Sequence, residues 1–234
     1  LSSPKAPQYL RGIPGEQVMS IEYKNEIGVD AGGLFNDTLT ALCDDELFAP
    51  SGNVLNLFLK TPNAVEKSGQ NLDTFVPNPT LKDPHSVNAF RAAGRLIALA
   101  VRSQQYNSFK LAPMIWDLLT STHLSESEDD QLRVLEQIDS VSAKELKRVR
   151  DGSKDEWCDM ESFSVVNSAG ETIKLLDETE DRPVTFEERE LYFRLALRHR
   201  MCEFDKAVEA IRIGLHDLIP ERVVRFLSGR DLEF

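Results

Sequence analysis

The run Ser86-Val-Asn-Ala-Phe-Arg-Ala-Ala-Gly-Arg-Leu-Ile-Ala-Leu-Ala-Val-Arg102 constrains the fold more than any other stretch of the chain. Phe90, Gly94, Ile97 and Val101 recur at spacings of three and four, which places them on one helical face. Ala93, Leu96 and Ala100 fill the neighbouring face, so the helix is apolar around most of its circumference. A helix of that kind belongs inside a large domain rather than on its surface. Its small residues, Ala92, Ala93, Gly94, Ala98 and Ala100, let other elements approach closely. Arg91 and Arg95, four apart on one side, are expected to bond buried carbonyls or carboxylates rather than a ligand, because a buried guanidinium needs partners. A core helix fixes a fold and leaves function open.

At 234 residues the chain is long enough for one large domain or two small ones. It opens on Leu1 rather than Met, and is read as a piece of something longer. Its apolar runs all fall short of the roughly 18 residues a membrane span needs. Cys43, Cys158 and Cys202 lie far apart with no Cys-x-x-Cys pair, which argues against a disulfide framework or a zinc site and fits a reducing, cytoplasmic or nuclear, compartment. Asn36-Asp37-Thr38 matches a glycosylation sequon and is read as chance, since no secretory signal is seen. The formal charge of −12 disfavours nucleic acid and anionic membranes as partners. Residues 125–190 hold 20 Asp and Glu against 9 Lys and Arg, so nearly all of the imbalance sits in one middle segment. That segment is either well-solvated surface or a docking surface for a basic partner.

Along the chain, residues 1–17 are rich in Pro and Gly and read as an irregular leader. Met19, Ile21 and Tyr23 alternate as a short strand. Gly28-Val-Asp-Ala-Gly-Gly-Leu34 follows, with Asp30 able to cap a helix carrying Leu34, Phe35, Thr38, Leu39, Leu42 and Cys43. Paired glycines at a helix start can cradle phosphate, but the Lys and Ser/Thr of a P-loop are missing. Leu55, Leu57 and Leu59 alternate as a strand ending at Thr61-Pro-Asn. Residues 62–85 carry four prolines and are expected to lack regular structure. Pro113–Leu119 reads as a short helix with Pro in its first turn, and helices are expected around 129–138 and 142–150. Phe163–Ile173 reads as a β-hairpin turning at Asn167 to Gly170. Thr185 and Glu188 form a capping box before a long helix with Leu191, Leu195 and Ala196 on one side. A further helix runs through Phe204, Ala207, Val208 and Ile211 to a C-terminal Gly214, and Ile219-Pro220 begins another.

Hydrolytic and metal chemistry find no support. His85, His123, His199 and His216 are scattered, and neither His-Glu-x-x-His nor Gly-x-Ser-x-Gly occurs. What remains is the order of the pieces: Gly28-x-Asp30-x-Gly32-Gly33-Leu34, then Phe90-Arg91-x-x-Gly94-Arg95-x-Ile97-x-x-Ala100, then Val184-Thr185. Tyr192, Leu195, Phe204, Ala207, Gly214, Ile219-Pro220, Phe226 and Leu232-Glu233 complete the series. Collinear over essentially the whole chain, it resembles the N-terminal lobe of HECT-type ubiquitin ligases. Arg198-His-Arg-Met-Cys-Glu-Phe-Asp205 looks most like the giant ligases with chromatin-condensation-regulator-type repeats. After Leu34 the family usually shows Arg-Glu-Trp where Phe35-Asn36-Asp37 stands here, so the role of that charged pair is not carried over to this chain.

The resemblance implies a mostly helical α+β lobe with no cofactor. Such ligases take ubiquitin from a conjugating enzyme (E2) as a thioester on a cysteine of a separate C-terminal lobe, then pass it to a substrate lysine. The N-lobe docks the E2, and this chain ends where the family's hinge to the C-lobe would begin. A large helical part is expected at 1–112 with 191–234, and a smaller E2-binding part at 113–190. Carried over position by position, the E2 groove falls on Leu146, Val149, Met160, Phe163 and Tyr192. Phe163 could equally be ordinary core, and Tyr192 suits a half-exposed anchor. None of the three cysteines matches the family's catalytic loop, so no catalytic residue is expected in this chain. Ubiquitin and substrate would be met through other regions. A non-catalytic helical interaction scaffold is the alternative.

Overall fold

The structure is a computed structural model that describes residues 1–11, 33–49, 55–103, 109–120, 125–157, 162–176 and 183–233. The expected strand at 19–23 and the motif Gly28 to Gly32 lie outside these residues. Helix α1 (Ala6–Leu10) is followed by α2 (Gly33–Ala41), which runs on into a π-helical turn over Leu42–Leu47. Strand β1 (Phe58–Lys60) leads to α3 (Pro62–Glu66) and β2 (Phe75–Pro77), and β1 and β2 pair antiparallel with Leu59 opposite Val76. Next come α4 (Pro84–Arg102), α5 (Pro113–Leu119), α6 (Glu128–Glu136) and α7 (Ser140–Asp151). A hairpin of β3 (Ser164–Val166) and β4 (Thr172–Lys174) precedes α8 (Arg189–Cys202), α9 (Asp205–Leu218), α10 (Glu221–Val224) and α11 (Gly229–Leu232). The class is mostly helical α+β.

The core helix forms as its pattern demands. Asp83 caps α4 by accepting hydrogen bonds from the His85 and Ser86 amides at 2.9 and 3.1 Å, and Pro84 takes the first position, where no donor is needed. Phe90 and Ile97 through Ala100 are all buried. Its principal neighbour is α9, and the two helices meet at glycines. A Cβ on Gly94 would sit 1.9 Å from the Ile211 carbonyl oxygen, and one on Gly214 would sit 2.0 Å from that of Arg91. Gly214 therefore does not end α9, as the sequence reading expected. It lies inside a helix that continues to Leu218, at the point where the two backbones nearly touch.

The α4 arginines find the expected partners. Arg91 donates to both Asp217 carboxylate oxygens at 2.9 Å, and buried Arg95 donates to Asp217 at 2.7 Å, to Ser3 O at 2.9 Å and to Leu1 O. Arg102 donates to Leu218 O and Arg11 O, so the amino-terminal turn is strapped across α4 and α9. Burial works against the Asp217 carboxylate, but the bonds from Arg91 and Arg95 win and hold its pKa below the usual aspartate range. A lowered folded pKa means stability that is complete above the unfolded value of about 3.9 and is lost as pH falls through the folded value. Asp217→Asn should thus destabilise the protein at neutral pH. In acid denaturation the gap to wild type should close below about pH 4; a gap constant down to pH 2 would show that Asp217's charge contributes nothing.

Four other expectations are corrected. The leader is not irregular throughout, since Ala6–Leu10 form α1 with Pro7 in its first turn. The stretch 62–85 is not irregular: Thr61 caps α3 by accepting from the Ala64 amide at 3.2 Å, Pro62 occupies the first helical turn, and Pro77 ends β2 at a sheet edge. The strand predicted over Leu55 to Leu59 starts only at Phe58, because Asn56 adopts a left-handed φ of 47°. On α8 the buried face is Tyr192, Phe193, Ala196, Leu197, Arg200 and Met201, and Leu191 is 48% exposed. The apolar pair Leu191 and Leu195 has helical spacing but is outweighed by the larger ring pair at 192 and 193.

Candidate functional site

The middle segment builds a hollow from three elements. Asp139 caps α7, accepting from the Ser142 amide at 2.9 Å and the Ser142 hydroxyl at 2.7 Å. That start angle turns Leu146 and Val149, three apart, to the same buried side. The hairpin opposite is closed by Asn167, whose Oδ1 accepts from the Ala169 and Glu171 amides at 2.9 Å, with Gly170 at φ +80°. A left-handed φ there favours glycine. The ladder pairs Ser164 with Lys174, Val165 with Ile173 and Val166 with Thr172. The capping box of Thr185 and Glu188 is present on a short 3₁₀ turn that starts α8, and α8 brings Tyr192 to the floor.

The hollow measures about 150 Å³ and is lined by Ser142, Glu145, Leu146 and Val149 from α7, Ser164 to Val166 from β3, and Tyr192. Leu146, Val149 and Tyr192 thus come together in its lining. Phe163 stands outside the lining and packs its ring on Tyr192, centroids 6.0 Å apart at 66°. Met160 lies outside the described residues. Tyr192 differs from the half-exposed anchor expected: it is 5% exposed, and its hydroxyl donates to the Ser164 carbonyl at 3.0 Å. Burial and the nearby Glu145 carboxylate push its phenol pKa up, so it remains a neutral donor. The accessible apolar group is Val166 on the β3 rim, 51% exposed. In the sequence Val166 falls inside the hairpin, and its alternation with Val165 is the signal that marks it as the outward residue.

Leu146, Val149 and Val165 give the hollow its apolar walls, and Ser142, Glu145 and the β3 backbone its polar edge. The Cys43 thiol is buried and pushed up to about 12 by burial and by Asp44, against a smaller pull from Lys110. Partial burial and a bond to Asp205 raise the Cys202 thiol at the end of α8. Cys158 lies outside the described residues. Among the described residues, no group of His, Cys, Asp and Glu is arranged to hold a metal ion, and no helix is long and apolar enough to cross a membrane.

A mostly helical lobe whose α4–α9 core carries an α7–β3–α8 hollow is matched over residues 41–234 by the family profile of the HECT domain (ubiquitin-transferase), and the chain belongs to that family. Among its relatives, a protein of Mus musculus named E3 ubiquitin-protein ligase HERC2 is 27% identical over 220 residues, covering 93% of this chain and 4% of that protein. The Homo sapiens protein of the same name is 26% identical over 220 residues, with the same coverage. A Neurospora crassa protein named E3 ubiquitin-protein ligase TOM1-like is 24% identical over 221 residues, covering 92% of this chain and 5% of its own length. The chain thus spans about one twentieth of the length of these relatives or less.

Proposed function

We propose that this chain docks a ubiquitin-conjugating enzyme in the α7–β3–α8 hollow, as the E2-binding part of a HECT-type E3 ubiquitin-protein ligase. In that reading ubiquitin passes from the E2 to a cysteine outside this chain as a thioester, and from there to a substrate lysine. Membership in the ubiquitin-transferase family supports it, and the observation that carries it is the concave apolar hollow with an exposed valine on its rim. A small pocket of buried apolar side chains suits one inserted side chain of a partner, the geometry in which a few contacts carry most of the binding energy. The two-part division, 113–190 for docking and 1–112 with 191–234 as frame, belongs to the same proposal. By packing against α9 and α11, α5 (Pro113–Leu119) departs from that division and sides with the frame.

Charge adds a kinetic expectation. The net −11 of residues 125–190 already counts Arg150, which pairs with Asp129 and Asp151 inside the segment, and cations from outside it such as Arg194 on Glu128 and Arg200 on Asp139 offset only part of it. A basic E2 face should therefore be steered, with the on-rate falling as added salt shortens the Debye length below about 10 Å. The test is a binding series of purified E2 enzymes against the wild type and Val166→Asp, whose exposed position spares the fold. At least one E2 should bind the wild type, and Val166→Asp should weaken it by about 2 kcal/mol, roughly thirtyfold. No E2 bound, or equal binding by the variant, would leave the interaction-scaffold reading in its place. With ubiquitin-charged E2, neither Cys43 nor Cys202 should form a ubiquitin adduct that reducing agent removes, because a raised thiol pKa starves the attacking thiolate.

A further inference from the structure

β3 is held from outside its own sheet. The Leu175 amide donates to Phe163 O and the Asn167 amide to Glu171 O, so the odd-numbered residues of β3 face β4 and the carbonyls of Ser164 and Val166 face away. A two-stranded hairpin is marginal alone, and its free edge here is captured by α8. Tyr192 takes the Ser164 carbonyl, and two helical turns later Arg200 takes that of Val166 at 2.9 Å. Arg200 is 1% exposed. The same Nη1 donates to Asp139 Oδ2 at 2.9 Å and to Ser142 Oγ at 3.3 Å, Nη2 donates to Ser168 Oγ at 3.1 Å, and Nε donates to Glu203 at 3.1 Å. Glu203 in turn accepts from the Ser168 amide and hydroxyl at 3.1 and 2.7 Å. Ser142 and Val166 line opposite walls of the hollow, one on α7 and one on β3.

We infer that Arg200 is a positioning residue for E2 docking: from behind the hollow, one guanidinium nitrogen sets the spacing of its α7 and β3 walls. The inference rests on the docking reading above. A planar fork of donors reaches acceptors on the α7 cap, on β3, on the hairpin turn and at the α8–α9 junction at once; a lysine ammonium, a single point of three donors, cannot. Arg200→Lys keeps the positive charge beside Asp139 and Glu203 but loses that span, so β3 is free to drift from α7. Sites loosened by about an ångström lose most of their fit.

The experiment compares wild type, Arg200→Lys, Ser168→Ala and the core control Ile97→Ala. Each is assayed for melting temperature, E2 affinity, and hydrogen exchange at the Val165, Asn167 and Leu175 amides. Ser168 touches Arg200 but not the hollow, and decides the matter should Arg200→Lys fail to fold. Arg200→Lys is expected to lose roughly tenfold or more in E2 affinity and to exchange faster at the β3 amides. Ser168→Ala should show a smaller change in the same direction. Ile97→Ala, in the distant α4 core, should lose melting temperature but keep its affinity. Loss of affinity in proportion to melting temperature across all three variants would make Arg200 a stabiliser only and overturn the inference. So would faster exchange with unchanged affinity. A wild type that binds no E2 removes the docking reading, and the exchange arm then still shows whether Arg200 holds β3.

Discussion

Gly94→Ala should lower the melting temperature by roughly 4–8 °C, and Gly214→Ala by a similar amount. The added methyl on Gly94 would meet the Ile211 carbonyl oxygen at 1.9 Å, and that on Gly214 the Arg91 carbonyl oxygen at 2.0 Å. Both obstacles are backbone, so no side chain can swing aside and α4 must part from α9. Overpacking of this sort costs about 3 kcal/mol at the upper end of its ordinary range. Alanine returns about 1 kcal/mol through its better helix propensity. The net loss of about 2 kcal/mol converts at about 2–4 °C per kcal/mol for a chain of this size. Because the two glycines serve one crossing, the double variant should cost less than the sum of the singles, the mark of coupled sites. Thermal and urea denaturation decide this, and a midpoint for Gly94→Ala equal to wild type would mean that the helices do not touch there.

Tyr192→Ala should cost about 3–5 kcal/mol of stability, the usual range for deleting a buried ring. The ring is 5% exposed, meets Phe163 edge-on, and spends its hydroxyl on the free edge of β3. Its removal empties the floor of the hollow and leaves the Ser164 carbonyl without its donor. Tyr192→Phe isolates the second effect and should cost about 1–2 kcal/mol. Any loss of E2 affinity in Tyr192→Ala would then mix lost contact with a loosened fold, whereas a replacement at exposed Val166 leaves the buried floor in place. Chemical denaturation of the two variants is the check; an unchanged midpoint for Tyr192→Ala would put the ring at the surface.

What could be read from the sequence was whatever is decided within a few residues. The α4 pattern, the proline at the start of α5, the Thr185 and Glu188 box and the turn at Asn167 to Gly170 are local signals, and the structure shows each of them. Gly214 looks locally like a helix stop and is instead an interior contact, because its reason lies at Arg91, far away along the chain. Leu191 and Leu195 have helical spacing, yet which side of α8 is buried depends on where α7 and β3 stand. The candidate site divides the same way. Leu146 and Val149 are one helix face and were legible as such. The exposure of Tyr192 and the reach of Arg200 are set by elements that only the fold brings near.

The meeting of α4 with α9 also has a consequence for how the chain is made. More than a hundred residues separate the end of α4 at Arg102 from the end of α9 at Leu218, and the acidic segment is threaded between them. At ribosomal speeds of about 5–20 residues per second, α4 emerges on the order of ten seconds before its partner exists. For that interval a helix apolar nearly all round is without its principal cover. Residues 125–190, with their net charge of −11, are the stretch made during that interval.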